Sequence, residues 1–171
     1  MYYKWLSIIT LLVLGGCGGY PKNVTPIQQF DLNKYLGKWY EIARLDHSFE
    51  RGLQQVTAEY TLLDNGKVRV VNRGYSPIDD EWKEAVGKAF LAGETDEGYL
   101  KVSFFGPFYS SYVIFGVDVD TYQYAYVSGP THRYLWLLSR TPAIDEEVLG
   151  RFVETARNKG FDTDELIYVR Q

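Results

Sequence analysis

The stretch Gly37-Lys38-Trp39-Tyr40-Glu41-Ile42-Ala43-Arg44 is the part of the sequence on which the prediction of the fold rests. It opens with a glycine, one further residue and a tryptophan, and it continues as an apolar-rich run typical of a β-strand. Tryptophan is among the largest side chains that a core can bury, and its indole N–H needs a hydrogen-bond partner once buried. This tryptophan therefore suggests either a plug at one end of a closed sheet or an ordinary core residue.

The first residues of the chain have the layout of a secretory signal. One positive residue, Lys4, precedes an apolar run from Leu6 to Leu14 that is too short to span a bilayer comfortably. The only cysteine, Cys17, directly follows Leu14-Gly15-Gly16, and this spacing resembles the lipobox of bacterial lipoproteins. A leftover thiol beside an ordinary cleavage site is the alternative. We predict a signal peptide over residues 1–16, a lipidated tether over residues 17–29 and a folded domain over residues 30–171.

The composition favours one strand-rich domain. The chain has 171 residues, which is enough for a single domain with a sizeable core. Aromatic residues make up 16% of the sequence, which fits strands and apolar recognition surfaces better than a helical bundle. The net charge of −4 gives no basic face, so nucleic acid is not expected as a partner.

Alternating side chains predict β-strands along most of the chain. Residues 56–62 alternate between apolar and polar, and Asp64-Asn65-Gly66 then supplies the positive-φ residues that a tight hairpin needs. Eight such runs with hairpin-length connections predict an all-β fold, an eight-stranded up-and-down antiparallel barrel. A closed barrel has no exposed edges and leaves room for one small ligand. A two-sheet sandwich is the alternative.

The connections at the two ends of this barrel differ in composition. Those at the end where the first strand begins contain no proline, whereas three of the four at the other end contain Pro77, Pro107 or Pro130. The second end also carries aromatic residues, so we predict a closed floor and an aromatic mouth at which a ligand binds. Counting strands places Arg140 on the floor beside Trp39. A guanidinium over an indole face contributes about 0.5–2 kcal/mol, which favours the plug.

A helix is predicted after the last barrel strand. Asp145 can cap it, Glu146 and Glu147 complement its N-terminal dipole, and Gly160 ends it. One face of this helix is apolar and comprises Val148, Leu149, Phe152, Val153 and Ala156. We expect this face to pack against the outer wall of the barrel. Residues 166–169 predict a short last strand at an edge.

Three segments resemble the conserved regions of the lipocalins. They are Gly37-x-Trp39 with the following Tyr40, the turn from Asp118 to Tyr122, and Arg140 within Leu137-Leu138-Ser139-Arg140-Thr141-Pro142. With the lipobox, the resemblance is closest to the bacterial outer-membrane lipocalins, relatives of apolipoprotein D, and it covers roughly residues 31–171. The turn departs from the family pattern, because it reads Asp120-Thr121-Tyr122 where the family has Thr-Asp-Tyr.

This resemblance implies a calyx that binds one small apolar molecule. In this branch it implies a fatty acid, phospholipid or lysophospholipid, held for storage or transport in membrane maintenance under stress. The head group would stay near the mouth, against Arg44, His47 or a tyrosine hydroxyl. The resemblance also implies a lipid anchor at Cys17 in the outer membrane, since Gly18 is not an aspartate, with the domain facing the periplasm. The aromatic mouth could also serve self-association as a homodimer.

Strand parity supplies the candidate ligand-binding residues, and a slip of one position would invert them. The predicted residues of the cavity and its rim are Ala43, Val56, Ala58, Tyr60, Val70, Trp82, Leu100, Val102, Phe104, Phe108 and Tyr126. Gly37, Trp39 and Arg140 are predicted to be structural residues of the floor. Ordinary barrel packing is the alternative for every cavity residue.

The sequence offers no catalytic, cofactor or metal site. It has no Gly-x-Ser-x-Gly motif, and its only cysteine lies on the predicted tether. His47 and His132 fall in predicted mouth loops without a placed carboxylate, where we expect them to be solvated. We therefore predict a binding protein without cofactor or metal. A lipid-modifying enzyme on the same fold and a structural lipoprotein with a filled barrel are the alternatives.

Overall fold

Eight antiparallel strands form the body of the protein. The computed structural model describes residues 19–171, so Cys17 and the predicted signal peptide lie outside the described residues. The strands are β1 (Gly37–Arg44), β2 (Gln54–Leu62), β3 (Val68–Ser76), β4 (Glu81–Leu91), β5 (Tyr99–Ser103), β6 (Ser110–Val117), β7 (Tyr124–Ser128) and β8 (Leu135–Ser139). Each strand pairs with its neighbours in the chain, and β8 pairs with β1 to close the sheet. The predicted up-and-down barrel is thus confirmed, and the sandwich is excluded.

The two halves of β1 have different partners. Its first half, at the end of the barrel that we call the floor, pairs with residues 57–60 of β2. Its last two residues, at the opposite end or mouth, pair with the short strand β9 (Ile167–Tyr168). The side-chain amide of Gln171 then donates to the carbonyls of Glu41 (2.6 Å) and Val56 (3.1 Å). The C-terminal segment therefore bridges β1 and β2 where they diverge, as the predicted edge strand.

A helix packs on the outside of the barrel, as predicted. It is α2 (Glu146–Asn158), and it buries Phe152 and Ala156 against the outer faces of β6 to β8. Gly160 ends it at φ +85°, a conformation that favours glycine. Asp145 stands at the N-terminal cap, but its side chain makes no capping hydrogen bond, so that detail of the prediction was wrong. Among residues 19–171, no helix is long and apolar enough to cross a membrane.

A short helix that the sequence did not predict, α1 (Leu32–Tyr35), closes the floor together with Trp39. Trp39 is fully buried, and its indole Nε1 donates to the Tyr35 carbonyl at 2.8 Å. The guanidinium carbon of Arg140 lies 3.8 Å from the centroid of the Trp39 ring. Its Nη1 donates to the Lys38 carbonyl at 2.8 Å, and its Nη2 donates to the Leu36 carbonyl at 2.9 Å. Arg140 thus ties the end of β8 to the beginning of β1.

The described part of the predicted tether lies along the outer wall of the barrel. Val24 is fully buried there, and the Ile27 amide donates to the Ile114 carbonyl at 2.9 Å. The Phe30 amide donates to the Asp96 carbonyl at 2.7 Å, near the floor. Residues 19–29 are therefore packed against the domain, because their apolar side chains cover its surface.

Candidate functional site

A row of residues in register across four strands lines the interior of the barrel. The row consists of Trp39, Ala58, Asn72 and Ala85. Directly opposite residues of antiparallel strands share one face of the sheet, so all four face inward with the buried Trp39. Ala58 and Asn72 nevertheless keep partial solvent exposure, and Ala85 is exposed. The interior is therefore open to solvent at this level.

The inward-facing wall around this row is apolar. The predicted cavity residues that face inward are Val56, Ala58, Tyr60, Val70, Leu100, Val102 and Phe104. Val70 and Leu100 are deeply buried, whereas Ala58 and Phe104 keep some exposure. The wall thus forms an apolar surface that becomes less accessible toward the floor.

The wall is interrupted between β4 and β5. These strands pair only through residues 88–91 of β4, so residues 81–87 extend beyond β5 toward the mouth. Gly87 lies at this point, and a Cβ on it would come within 2.8 Å of both the Phe104 ring and the Ser103 carbonyl. A glycine is required there because the Phe104 ring packs across the backbone.

Three tyrosine hydroxyls close the lower interior above the floor. The Tyr112 hydroxyl lies 2.7 Å from those of both Tyr35 and Tyr60. Burial is the main cause that raises the pKa of all three phenols, so they are neutral hydrogen-bonding groups at physiological pH. Tyr60, predicted as a cavity residue, is therefore part of the layer at which the cavity ends.

Charged side chains are buried in the mouth half of the interior. Arg44 is 1% exposed, and its Nη1 donates to Glu41 Oε1 at 2.7 Å while its Nη2 donates to the Glu50 carbonyl at 2.8 Å. The Glu50 carboxylate accepts from the Trp136 indole at 3.2 Å and lies 3.0 Å from His47 Nε2. Arg44 and His47 were predicted as head-group contacts, whereas Glu41 and Glu50 were missed. We call these five residues the mouth cluster.

The two carboxylates of the mouth cluster differ in their electrostatic environment. Burial, followed by the proximity of Glu50, raises the pKa of Glu41 well above its usual value despite the Arg44 guanidinium. Burial alone would also raise the pKa of Glu50, but His47, the Trp136 indole and Arg44 outweigh it and lower that pKa. The cluster therefore favours one ionised carboxylate, Glu50, and a Glu41 that holds its proton more tightly.

Aromatic rings continue the mouth cluster toward solvent, as predicted. The His47 ring stacks on Phe49 at 4.0 Å and lies 5.2 Å from the Trp136 ring. Tyr134 stacks on Trp136 at 6.1 Å. Phe49 is 57% exposed, whereas His47 is buried, so the expectation of a solvated His47 was wrong.

Two predicted cavity residues lie outside the barrel. Ala43 and Tyr126 belong to the apolar cluster beneath α2, where Tyr126 contacts Phe152 at 5.1 Å between ring centroids. A bulge between Glu41 and Ala43 shifts the register of β1 against β8 and turns Ala43 outward. Tyr126 faces outward because its neighbours Ala125 and Val127 fill the interior.

Trp82 also lies on the outer face of the sheet and does not line the cavity. It pairs with the outward-facing Tyr75, and the Arg73 guanidinium lies 4.5 Å from its ring centroid. It borders an open groove of about 430 Å³ on the outer wall, and the charged residues of that groove are Lys38, Glu59, Arg73 and Glu84. A groove lined by four charged side chains does not suit an acyl chain.

The remaining predicted residues lie at the mouth or outside the described chain. Phe108 is 79% exposed in the loop between β5 and β6. His132 Nε2 lies 3.0 Å from the Asn23 side chain and 2.9 Å from the Lys159 carbonyl, on the outside of the mouth. Within residues 19–171, no group of three or more His, Cys, Asp or Glu side chains could hold a metal ion. Cys17, the predicted lipidation site, lies outside the described residues.

Comparison with known proteins identifies related chains. Residues 30–171 match the family described as the lipocalin-like domain. The outer membrane lipoprotein Blc of Vibrio cholerae is 58% identical over 164 residues, covering 96% of each chain. The outer membrane lipoprotein Blc of Escherichia coli is 48% identical over 151 residues, covering 88% of this chain and 85% of that protein. Insecticyanin from the tobacco hornworm Manduca sexta shares the fold, with a TM-score of 0.71 at 23% identity over 90% of this chain and 87% of its own.

Proposed function

The chain belongs to the lipocalin family, and we propose that it is a lipid-anchored protein whose calyx binds one fatty acid, phospholipid or lysophospholipid by its acyl chain. The bound lipid would be stored or carried between membranes, which would serve membrane maintenance under stress. The observation that carries this proposal is the gradient along the calyx. An apolar wall lies between a layer of neutral tyrosines and a cluster of buried charges at the mouth.

This gradient suits an amphiphile that enters tail first. Each methylene that leaves water for the apolar wall contributes about 0.8 kcal/mol. The apolar wall ends at the tyrosine layer, where the hydroxyls hydrogen-bond to one another. An acyl tail rather than a head group therefore fits against Val70 and Leu100 above that layer. Asn72 faces the same space, and its buried Oδ1 has no hydrogen-bond partner in the described protein, so water rather than the acyl tail is expected to satisfy this acceptor.

The mouth cluster supplies the polar end of the proposed site. Arg44 Nε is a buried donor without a hydrogen-bond partner in the described protein, and a carboxylate or phosphate can use it, whereas Arg44 Nη1 and Nη2 and His47 Nε2 already contact protein groups. The aromatic rings beside Arg44 shield the upper part of a chain. The low pKa of Glu50 adds a fixed negative charge that an ammonium group in the head can face. This arrangement supports a head group held at the mouth rather than on the floor.

The proposed location follows from the relatives and from the N-terminal sequence. Both bacterial relatives are named outer membrane lipoproteins, and the spacing before Cys17 resembles a lipobox. Several acyl chains on one cysteine hold a protein stably on a bilayer, whereas one chain alone does not. We propose that Cys17 anchors the domain to the outer membrane on its periplasmic side.

Titration of delipidated protein with a fluorescent fatty acid tests the binding proposal. Ala85→Trp places an indole in the exposed upper calyx and is expected to weaken binding at least tenfold. Val86→Trp is the matched control, because Val86 is the next residue and faces outward at 49% exposure. Equal loss of binding in both variants, or no uptake by the native protein, would contradict the proposal. Mass spectrometry of the lipid after long incubation must show it chemically unchanged, since a product would indicate an enzyme.

A further inference from the structure

The described chain begins at the mouth of the barrel, not at its floor. The Gly19 carbonyl accepts a hydrogen bond from Ser111 Oγ at 2.9 Å, at the beginning of β6 and next to the loop that connects β5 to β6. Four residues later, the Asn23 carbonyl accepts from Lys159 Nζ at 3.1 Å, and the Asn23 side chain meets His132 of the mouth loop between β7 and β8. The chain then descends the outer wall toward the floor.

This starting point limits how far a lipid on Cys17 could lie from the mouth. Cys17 precedes Gly19 by two residues, and two residues span at most about 7 Å when fully extended. Acyl chains attached to Cys17 would therefore enter the bilayer from the mouth end of the barrel. An anchor that emerged at the floor would instead leave the mouth facing away from the membrane.

The same end carries the most exposed large apolar side chains of the described protein. They are Ile78 at 90% exposure, Phe105 at 80% and Phe108 at 79%, and they lie on the β3–β4 and β5–β6 loops. Exposed apolar patches on a protein surface mark contacts with proteins or membranes. Lys83 at the beginning of β4 pairs with Asp79 and lies 4.0 Å from Glu81, so this loop carries a small net negative charge and no basic patch. Such a surface suits the apolar interface of a bilayer rather than a strongly charged partner.

We propose that the mouth of the calyx rests on the bilayer that holds the Cys17 anchor, with Ile78, Phe105 and Phe108 inserted at the level of the head groups. This inference rests on the proposed lipidation of Cys17. It places the opening of the calyx in contact with the acyl chains of the membrane. A lipid can then move between the bilayer and the interior without crossing water.

The test uses the full chain, processed in a bacterial host and reconstituted in phosphatidylethanolamine–phosphatidylglycerol vesicles. Single substitutions Ile78→Cys, Phe108→Cys and Val119→Cys carry an environment-sensitive fluorophore. Val119 is the matched control, because it is 57% exposed but lies in the floor turn between β6 and β7. Labelling of the native protein shows whether the Cys17 thiol is free, which tests lipidation separately from orientation.

The expected result is a blue-shifted emission from the fluorophores at positions 78 and 108, because inserted groups lie about 5–10 Å into the interface. Nitroxide lipids should quench these two fluorophores at least about twice as strongly as the fluorophore at position 119. Stronger quenching at position 119, or equal quenching at both ends, would overturn the proposed orientation. The fluorophores at positions 78 and 108 could instead become more shielded as protein concentration rises, without any response to nitroxide lipids. That result would indicate a second copy of the chain on this surface and would also overturn the proposed orientation. Fatty acid titration of the same samples reports on the calyx independently.

Discussion

Replacing Arg140 by methionine is expected to destabilise the barrel substantially. Methionine keeps an apolar stem against Trp39 but removes the guanidinium that donates to the carbonyls of Lys34, Leu36 and Lys38 at 2.7–2.9 Å. A hydrogen bond to a charged group contributes about 1.5–3 kcal/mol when buried. Water can replace the two bonds at the more exposed carbonyls, so we count about 2–3 kcal/mol for the three together.

The cation–π contact with Trp39 at 3.8 Å adds about 1 kcal/mol, which gives a total loss of about 3–4 kcal/mol. Since 1 kcal/mol shifts the midpoint of a domain of this size by about 2–4 °C, Tm should fall by about 10 °C. Urea unfolding followed by tryptophan fluorescence measures the free energy, with an unchanged m-value as the sign of an intact fold.

The exposed Arg133 provides the matched control for this experiment. Arg133→Met should change the free energy of unfolding by no more than about 0.5 kcal/mol, as is usual for surface substitutions. Arg140→Lys keeps the charge but loses the planar fork, so it should fall between the native protein and Arg140→Met. A loss below about 1 kcal/mol for Arg140→Met would refute the role of Arg140 in holding the floor.

Trp39→Ala should lower the free energy of unfolding by about 3–5 kcal/mol, whereas Trp82→Ala on the outer wall should lower it by less than about 1 kcal/mol. Similar losses in chemical unfolding would mean that Trp39 does not seal the floor. Because the pKa of Glu41 is raised in the folded protein, ionisation of this carboxyl destabilises the folded state as pH rises above about 4.5. The free energy of unfolding of Glu41→Gln should therefore increase relative to that of the native protein from about pH 4.5 toward about pH 8. A difference that does not change with pH would contradict this. Asn72→Leu, which replaces the unpartnered Oδ1, should keep the fold by circular dichroism and retain fatty acid binding within about threefold; complete loss of binding would mean that Asn72 holds the ligand directly.

Much of the floor could be predicted from the sequence because it depends on strand order alone. Trp39 stands at the beginning of β1 and Arg140 directly follows β8, so closure of an eight-stranded barrel brings the two together whatever the exact register. The helix α1 was missed because its four residues are too short for a periodic apolar pattern.

The errors in the cavity prediction have a common physical cause. The strands β6 to β8 are apolar on both faces, because the barrel interior covers one face and α2 the other. Alternation of apolar and polar residues therefore cannot tell inward Val127 from outward Tyr126. The bulge in β1 caused the error for Ala43, because the residues after it face the opposite side of the sheet from the one that alternation predicts. The sequence carries no signal strong enough to locate this bulge.

The charges of the mouth cluster were missed although one signal for them existed. Glu41 lies two residues after Trp39 on the same strand, so an inward Trp39 requires an inward Glu41. Glu50 lies in a connection between strands, and only the folded chain brings its carboxylate to Trp136, which is 86 residues away in the sequence. A long-range contact from an irregular loop has no periodicity from which it could be read.

The most direct test of the central claim is the depth at which an acyl chain lies inside the barrel. Variants that retain a single one of Trp39, Trp136 and Trp82 place one fluorophore at the floor, at the mouth or on the outer wall. Each is titrated with stearate that carries a nitroxide near either its methyl end or its carboxylate. We expect the methyl-end label to quench Trp39 more strongly and the carboxylate-end label to quench Trp136 more strongly, with little quenching of Trp82. Quenching confined to Trp82, or the reverse order along the chain, would contradict tail-first binding in the calyx.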